Sequence, residues 1–254
     1  MGTDAATRTD LDAIEVSAVR VSAFTVEEFT ARVIAMATSP GVDVAVGVNA
    51  HVCNLARNDA RMRALLQRTT NYADGQSVVW AARVLGGRLP ERLATTDTAL
   101  PVLRAAAAAG IPVYFFGAAA GIAESAAERM RAEVPGLQLR AHHGYVADGG
   151  IDALLDDIAD HGTGILFVGL GDPRQQIWID DHRDRLPGAV LTCGGLFDWL
   201  SGSNRRAPGW MISAGLEWLW RLMIEPRRLA RRYLVGNPSF MLAVARQRLQ
   251  RRRA

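Results

Sequence analysis

Asp74 closes the polar stretch Asn71-Tyr-Ala-Asp74-Gly75, directly before the apolar segment Val78 to Leu85. A carboxylate at that place has two uses. It can cap the helix that follows, or, if the turn faces a ligand, it can take the proton of a hydroxyl nucleophile as that oxygen bonds to an electrophile. Four other turns carry groups suited to ligands: Asn49-Ala-His51, Gly117-Ala-Ala-Ala-Gly121, Gly169-Leu-Gly171-Asp-Pro-Arg-Gln175 and Gly194-Gly195-Leu-Phe-Asp198. Their glycines have two readings that stay open, tight turns with φ > 0 and phosphate contact through helix-terminal N–H groups. Gly169-Leu-Gly171 has no third glycine at dinucleotide spacing and no ribose-binding acid downstream, which argues against a nicotinamide fold. His143, in a Gly/Tyr turn, reads as a hydrogen-bonded structural histidine.

The elements that must hold these turns alternate. Val42 to Val48 is a buried, β-branched strand, and Ala50 to Thr69 has helical periodicity. Helices are predicted over Ser77 to Leu85, Leu100 to Ala109, Ile122 to Glu133, Ile151 to Ala159 and Gln175 to His182. Strands are predicted over Val113 to Phe116, Gln138 to His142, Ile165 to Gly169 and Ala189 to Cys193. This βαβα order predicts an α/β fold, a mostly parallel sheet with helices on both faces. Ligands of such sheets sit beyond the carboxyl ends of the strands, where the polar turns fall.

Composition narrows the class. With 254 residues, 49% hydrophobic, the chain can bury a sizeable core. Cys53 and Cys193 fit neither a disulfide framework nor a zinc cluster and suit a reducing compartment. The leader, residues 1–15, is acidic, lacks the apolar stretch of a signal peptide, and is expected to be disordered. The uncharged run Ala105 to Ala123 has the length of a membrane span, but Gly110, Pro112, Gly117 and Gly121 punctuate it, so a short buried strand is expected instead.

Charge is divided unevenly. Residues 1–199 hold 17 arginines against 24 acidic residues, whereas residues 200–254 hold 12 arginines against Glu217 and Glu225, and lysine is absent throughout. Trp199, Trp210, Trp218 and Trp220, four of the six tryptophans, lie in or beside that basic end. The expected organisation is therefore a catalytic domain over residues 16–199 and a basic, tryptophan-rich helical appendage over residues 200–254, suited to an anionic membrane surface or to docking on its own domain.

Taken in order, Asp74-Gly75 before Val78-Val79-Trp80, Glu91-Arg92 with Asp97, Phe116-Gly117, His143-Gly-Tyr145, Gly169-Leu-Gly171-Asp-Pro-Arg-Gln175, Gly194-Gly-Leu-Phe-Asp198, Arg206-Ala-Pro208 and Gly215-Leu-Glu-Trp-Leu-Trp-Arg221 with Glu225-Pro-Arg-Arg228 closely resemble the WecG/TagA/CpsF family of bacterial glycosyltransferases, over roughly residues 20 to 240. The resemblance implies a Rossmann-like fold with a C-terminal appendage and transfer of an N-acetylmannosamine-type hexose, with inversion, from a UDP-sugar to a polyprenyl-diphosphate-linked acceptor in cell-surface polysaccharide synthesis. It implies no metal and no cofactor, and a peripheral place on the cytoplasmic face of the membrane. By the same resemblance Asp74 is the general base; Arg92, Asp97 and Gln175 serve the substrate pockets; Asn49 matches the asparagine of the first strand-end turn; and Gly169, Gly171, Gly194 and Gly195 line the nucleotide crevice. Arg221, Arg228 and Arg231 would meet the leaving diphosphate, a role that planar, always-charged guanidinium groups suit. The only Asp-x-Asp, Asp10-Leu-Asp12, lies in the leader, away from any such site.

Three positions depart from the family pattern: Gly47 where threonine is frequent, Thr95 where glycine is usual, and Gln176 in place of glutamate. They leave the donor hexose open. The acceptor glycan and homo-oligomerisation stay open too. The competing class is a non-catalytic basic module gripping nucleic acid or lipid; the acidic α/β domain with its polar strand-end turns speaks against it, and no nucleic-acid partner is expected.

Overall fold

The structure, a computed structural model, describes residues 13–147, 149–204, 207–213 and 216–253. An antiparallel hairpin, β1 (Ala13–Val16) and β2 (Val19–Ser22), opens it. Then follow α1 (Val26–Thr38), β3 (Asp43–Val48), α2 (Ala50–Asn58), α3 (Ala60–Leu66), β4 (Thr70–Ala73), α4 (Gln76–Val84), α5 (Thr95–Ala108), β5 (Val113–Gly117), α6 (Ile122–Glu133), β6 (Leu139–His142), α7 (Ile151–Asp160), β7 (Ile165–Gly169), α8 (Arg174–Asp181), β8 (Ala189–Thr192) and α9 (Leu196–Leu200). The C-terminal part holds α10 (Gly209–Ser213), α11 (Glu217–Ile224), α12 (Pro226–Arg231), a π-helical turn over Arg232–Gly236, and α13 (Asn237–Arg251).

The eight strands form one sheet in the order β1-β2-β4-β3-β8-β7-β5-β6, parallel except for the hairpin. Every residue of β5, β7 and β8 is buried, as expected of parallel strands covered on both faces. One face is packed by α2, α3, α4, α7 and α8, through side chains such as Val52, Leu65, Val79, Leu154 and Ile179. The other is packed by α1, α5, α6 and α9, through Phe29, Leu103, Met130 and Phe197. The chain thus leaves β5 and its neighbour β7 toward opposite faces. That is a topological switch point, where the strand ends open a crevice.

Several boundaries differ from the sequence reading. The helix expected over Ala50 to Thr69 is two helices, because Asp59 ends the first and caps the second, its carboxylate accepting from Arg61 and Met62 N–H. Strand β1 begins at Ala13, inside the leader expected over residues 1–15; residues 1–12, with Asp10 and Asp12, lie outside the described residues. The helix expected from Leu100 starts at Thr95 and runs through Pro101. The uncharged run contains β5, and among the described residues no helix is long and apolar enough to cross a membrane.

Within residues 200–254, the last helix packs on the α/β domain. Phe240 and Val244 of α13 are 0% and 1% exposed and belong to the core of the α2/α4 face. Polar ties fasten the same helix: Asn54 Nδ2 donates to Gly236 O at 2.8 Å, Arg57 to the Ser239 hydroxyl at 2.7 Å, Gln247 Nε2 to Glu15 O at 3.0 Å, and Ser17 N–H to Gln247 Oε1 at 2.9 Å. Residues of the arm between α9 and α13 are more open: Trp210, Met223, Ile224, Leu234 and Val235 are exposed.

Candidate active site

The crevice beyond the carboxyl ends of β3, β4, β5, β7 and β8 has a volume of about 640 Å³, a size that takes a substantial small-molecule ligand. Five helices begin at its edge. Asn49 caps α2, its side-chain oxygen accepting from His51 N–H at 3.0 Å and Val52 N–H at 3.2 Å. The helices α4, α8 and α9 start at Gly75, Pro173 and Gly195 with no side-chain cap, whereas α5, which starts after Ala94, has its Thr95 N–H taken by the Asp74 carboxylate. Uncapped N-termini carry partial positive charge, so their convergence favours an anion.

Asp74 lies on the wall of this crevice. It does not cap α4. Instead, Thr95 at the start of α5 gives it two donors, the backbone N–H at 3.1 Å and the hydroxyl at 3.3 Å, both to Oδ1. The Thr95 hydroxyl also meets the phenol of Tyr72 at 3.2 Å. Burial, and next the Asp74 charge, push the Tyr72 phenol well above its ordinary pKa, so it stays protonated and donates along this chain. Thr95 is therefore the residue that orients the carboxylate. Gly47 makes room for it: a Cβ there would stand 3.1 Å from both the Asp74 Cβ and the Tyr72 hydroxyl.

Arg92 lines the crevice with its side chain 15% exposed, and its guanidinium is 3.7 Å from the Asp97 carboxylate. Asp97 is not among the crevice-lining residues, and its ion pair holds Arg92. Gln175 is buried and bridges two turns, donating from Nε2 to Asp172 Oδ1 at 2.8 Å and accepting from Gly194 N–H through Oε1 at 3.1 Å. Gln176 donates to the same Asp172 oxygen at 2.7 Å. A glutamate there would set two carboxylates against each other, unless one held a proton.

The glycines divide by physical reason. Gly169 is required by packing, since a Cβ would lie 2.9 Å from Gly194 O and from the Phe197 ring. Gly171 and Gly194 have φ of +77° and +54° with open space around them, so their backbone conformation requires glycine and leaves the surface bare for a ligand. Gly195 opens α9. Phe197 is core, and His143 accepts Tyr145 N–H through Nδ1 at 3.3 Å, the structural role expected of it.

Of the three C-terminal arginines expected at the diphosphate, only the side chain of Arg231 is among the described residues. The side chains of Arg221 and Arg228 lie outside the described residues, as do Arg206 and Gly215. Arg231 is exposed and is not among the crevice-lining residues. Its neighbour Arg232 is among them, with Leu229, Tyr233, Asn237 and Trp218, and the rings of Trp218 and Tyr233 meet edge-on at 5.9 Å. His51, Asp172, Arg174 and Arg232 are crevice residues that sequence reasoning did not assign; all but Arg232 sit in the strand-end turns themselves, a signal that could have found them. Burial, and next the Arg232 charge, lower the His51 pKa, which keeps its imidazole neutral at pH 7.

A model of the glycosyl transferase WecG/TagA/CpsF family matches residues 14–254. The chain belongs to this family of glycosyltransferases. Among its relatives is the N-acetylglucosaminyldiphosphoundecaprenol N-acetyl-beta-D-mannosaminyltransferase of Bacillus spizizenii, 34% identical over 173 residues, 67% of this chain and 66% of the relative. The enzyme of the same description from Bacillus subtilis strain 168 is 32% identical over 176 residues, 68% of this chain and 67% of the relative. The chain thus matches about two thirds of the length of each.

Proposed function

We propose that this protein transfers a hexose of N-acetylmannosamine type from a UDP-sugar to a polyprenyl-diphosphate-linked glycan, with inversion and without a metal, at the cytoplasmic face of the membrane. The observation that carries the reading is the Asp74 carboxylate, oriented by Thr95 on the wall of a crevice ringed by helix N-termini and by Arg92 and Arg174. The names of the two Bacillus relatives supply the kind of sugar and acceptor. In one displacement, the acceptor hydroxyl attacks the anomeric carbon and gives its proton to Asp74 while UDP departs. The developing negative charge on the diphosphate is stabilised by arginines and turn N–H groups already in place. Membrane docking falls to the exposed apolar residues of the arm, Trp210, Met223, Ile224, Leu234 and Val235, beside its arginines.

The test is transfer from UDP-N-acetylmannosamine, with EDTA present, to a lipid-linked acceptor in neutral or anionic vesicles and to a short water-soluble analogue. Transfer is expected on all three, fastest on anionic vesicles. A rate restored only by Mg²⁺ or Mn²⁺ would refute the metal-free mechanism, and equal rates on neutral and anionic vesicles would remove the anionic lipid surface from the reading.

A further inference from the structure

Just past the base, α4 turns an uncharged strip toward the crevice. Gln76 and Ser77 stand four and three residues before Trp80, so the three side chains share one face of the helix, and all three line the crevice. Val78, Val79, Ala81 and Ala82 fill the buried face. Trp80 is 46% exposed, although an indole is among the side chains that gain most from burial. Among the described residues nothing hydrogen-bonds to or stacks on its ring, and the side chains of Gln76 and Ser77 have no hydrogen-bond partner. Other polar groups of the crevice are spent on the protein itself: Asn49 on the start of α2, Thr95 on Asp74, and Gln175 on Asp172 and Gly194.

The sheet order says which substrate this strip faces. A nucleotide held at the switch point lies by β5 and β7, and β4, which carries Asp74 at its end, is three strands from β7 through β8 and β3, about 14 Å away. A donor anchored there brings its sugar to Asp74 from the β7 side. Inversion requires the attacking hydroxyl to arrive opposite the leaving diphosphate, from the side of Asp74 that points away from β7. That side belongs to α4, which packs on β4 and on the edge strand β1.

We propose that Trp80 is the acceptor-binding platform of the crevice. Its indole face carries the apolar face of the pyranose whose hydroxyl attacks, and Gln76 and Ser77 hydrogen-bond the hydroxyl groups at the edge of that ring. One face of a pyranose presents weakly positive C–H groups, which the negative π-face of an indole attracts, and the contact removes apolar surface from water on both sides. An uncharged wall suits an uncharged sugar. The inference rests on the transferase reading and deepens it by assigning the residues that recognise the acceptor saccharide.

The experiment measures steady-state transfer from UDP-N-acetylmannosamine to an N-acetylglucosaminyl diphosphate with a short alkyl chain, which stays in solution and so separates stacking from membrane docking. Wild type, Trp80→Ala, Trp80→Phe and Trp80→Leu are compared, with UDP calorimetry and a melting curve for each. Trp80→Ala is expected to raise the acceptor KM about 10- to 50-fold, with kcat, donor KM and UDP affinity within about 2-fold of wild type, the pattern of lost binding that is equal in ground and transition states. Phe should recover most of the loss because it keeps an aromatic face, and Leu little because it keeps only apolar area. An unchanged acceptor KM in Trp80→Ala, an equal rise in donor KM, a fall of kcat together with melting temperature, or recovery by Leu as complete as by Phe would each overturn the assignment while leaving the transferase reading standing. Absence of transfer by the wild type would overturn the transferase reading, and the assignment with it.

Discussion

Asp74→Asn is expected to lower turnover by roughly 10²–10⁴-fold, the loss that follows removal of a general base, while UDP affinity and the melting temperature stay close to wild type. The amide is isosteric, and its oxygen can still accept from the Thr95 N–H and hydroxyl, which both fall on Oδ1. What is lost is the ability of the second oxygen to take a proton. Initial rates at saturating donor, set beside UDP titration and a melting curve, check this. Near-normal turnover would remove Asp74 from the chemistry; a large drop in melting temperature would assign it a structural role at the start of α5. The capping alternative weighed from the sequence is already set aside, since the carboxylate serves α5 and not the helix that follows it.

Phe240→Ala is expected to cost about 3–5 kcal/mol of stability, the usual loss when a buried phenylalanine leaves a cavity. That is a large share of the roughly 5–15 kcal/mol that holds a domain folded. The ring is 0% exposed and sits with Val244 in the core shared with α2 and α4, about 180 residues away in sequence. Denaturant unfolding of the variant measures the cost. A loss below about 1 kcal/mol would make α13 a loosely held arm and restore the picture of an appendage over residues 200–254. The expected large loss has a practical consequence: deleting residues 200–254 removes part of the core, so an inactive truncation would say little about membrane docking.

The sheet was legible where strands are apolar and helices periodic. β5, β7 and β8 read directly because both of their faces are buried. β4 did not, because Thr-Asn-Tyr-Ala looks like a polar turn. Asn71 is buried there only because its side chain donates to Arg20 O at 3.0 Å and Leu66 O at 2.7 Å, partners that composition cannot reveal. The β1/β2 hairpin turns at Ser17 and Ala18 with φ of 49° and 69°, without the glycine or asparagine that marks such turns. Asp74, Asn49 and the glycine turns were legible because strand-end turns are where an open α/β sheet exposes its backbone, whereas Arg92, between α4 and α5, came only from the family resemblance. Arg232 was hidden by its neighbour: in a run of two arginines the sequence motif points to Arg231, and only the burial of Leu229 decides which one faces the crevice.

The central claim is a single inverting displacement assisted by Asp74. It is tested most directly by following, by proton NMR, the anomeric configuration of product formed from an α-linked UDP-N-acetylmannosamine donor and a soluble diphosphate-linked acceptor analogue. The account predicts a β-linked product as the first product formed, with its formation suppressed in Asp74→Asn. An α-linked first product, or β-linked product formed equally fast by Asp74→Asn, would contradict it.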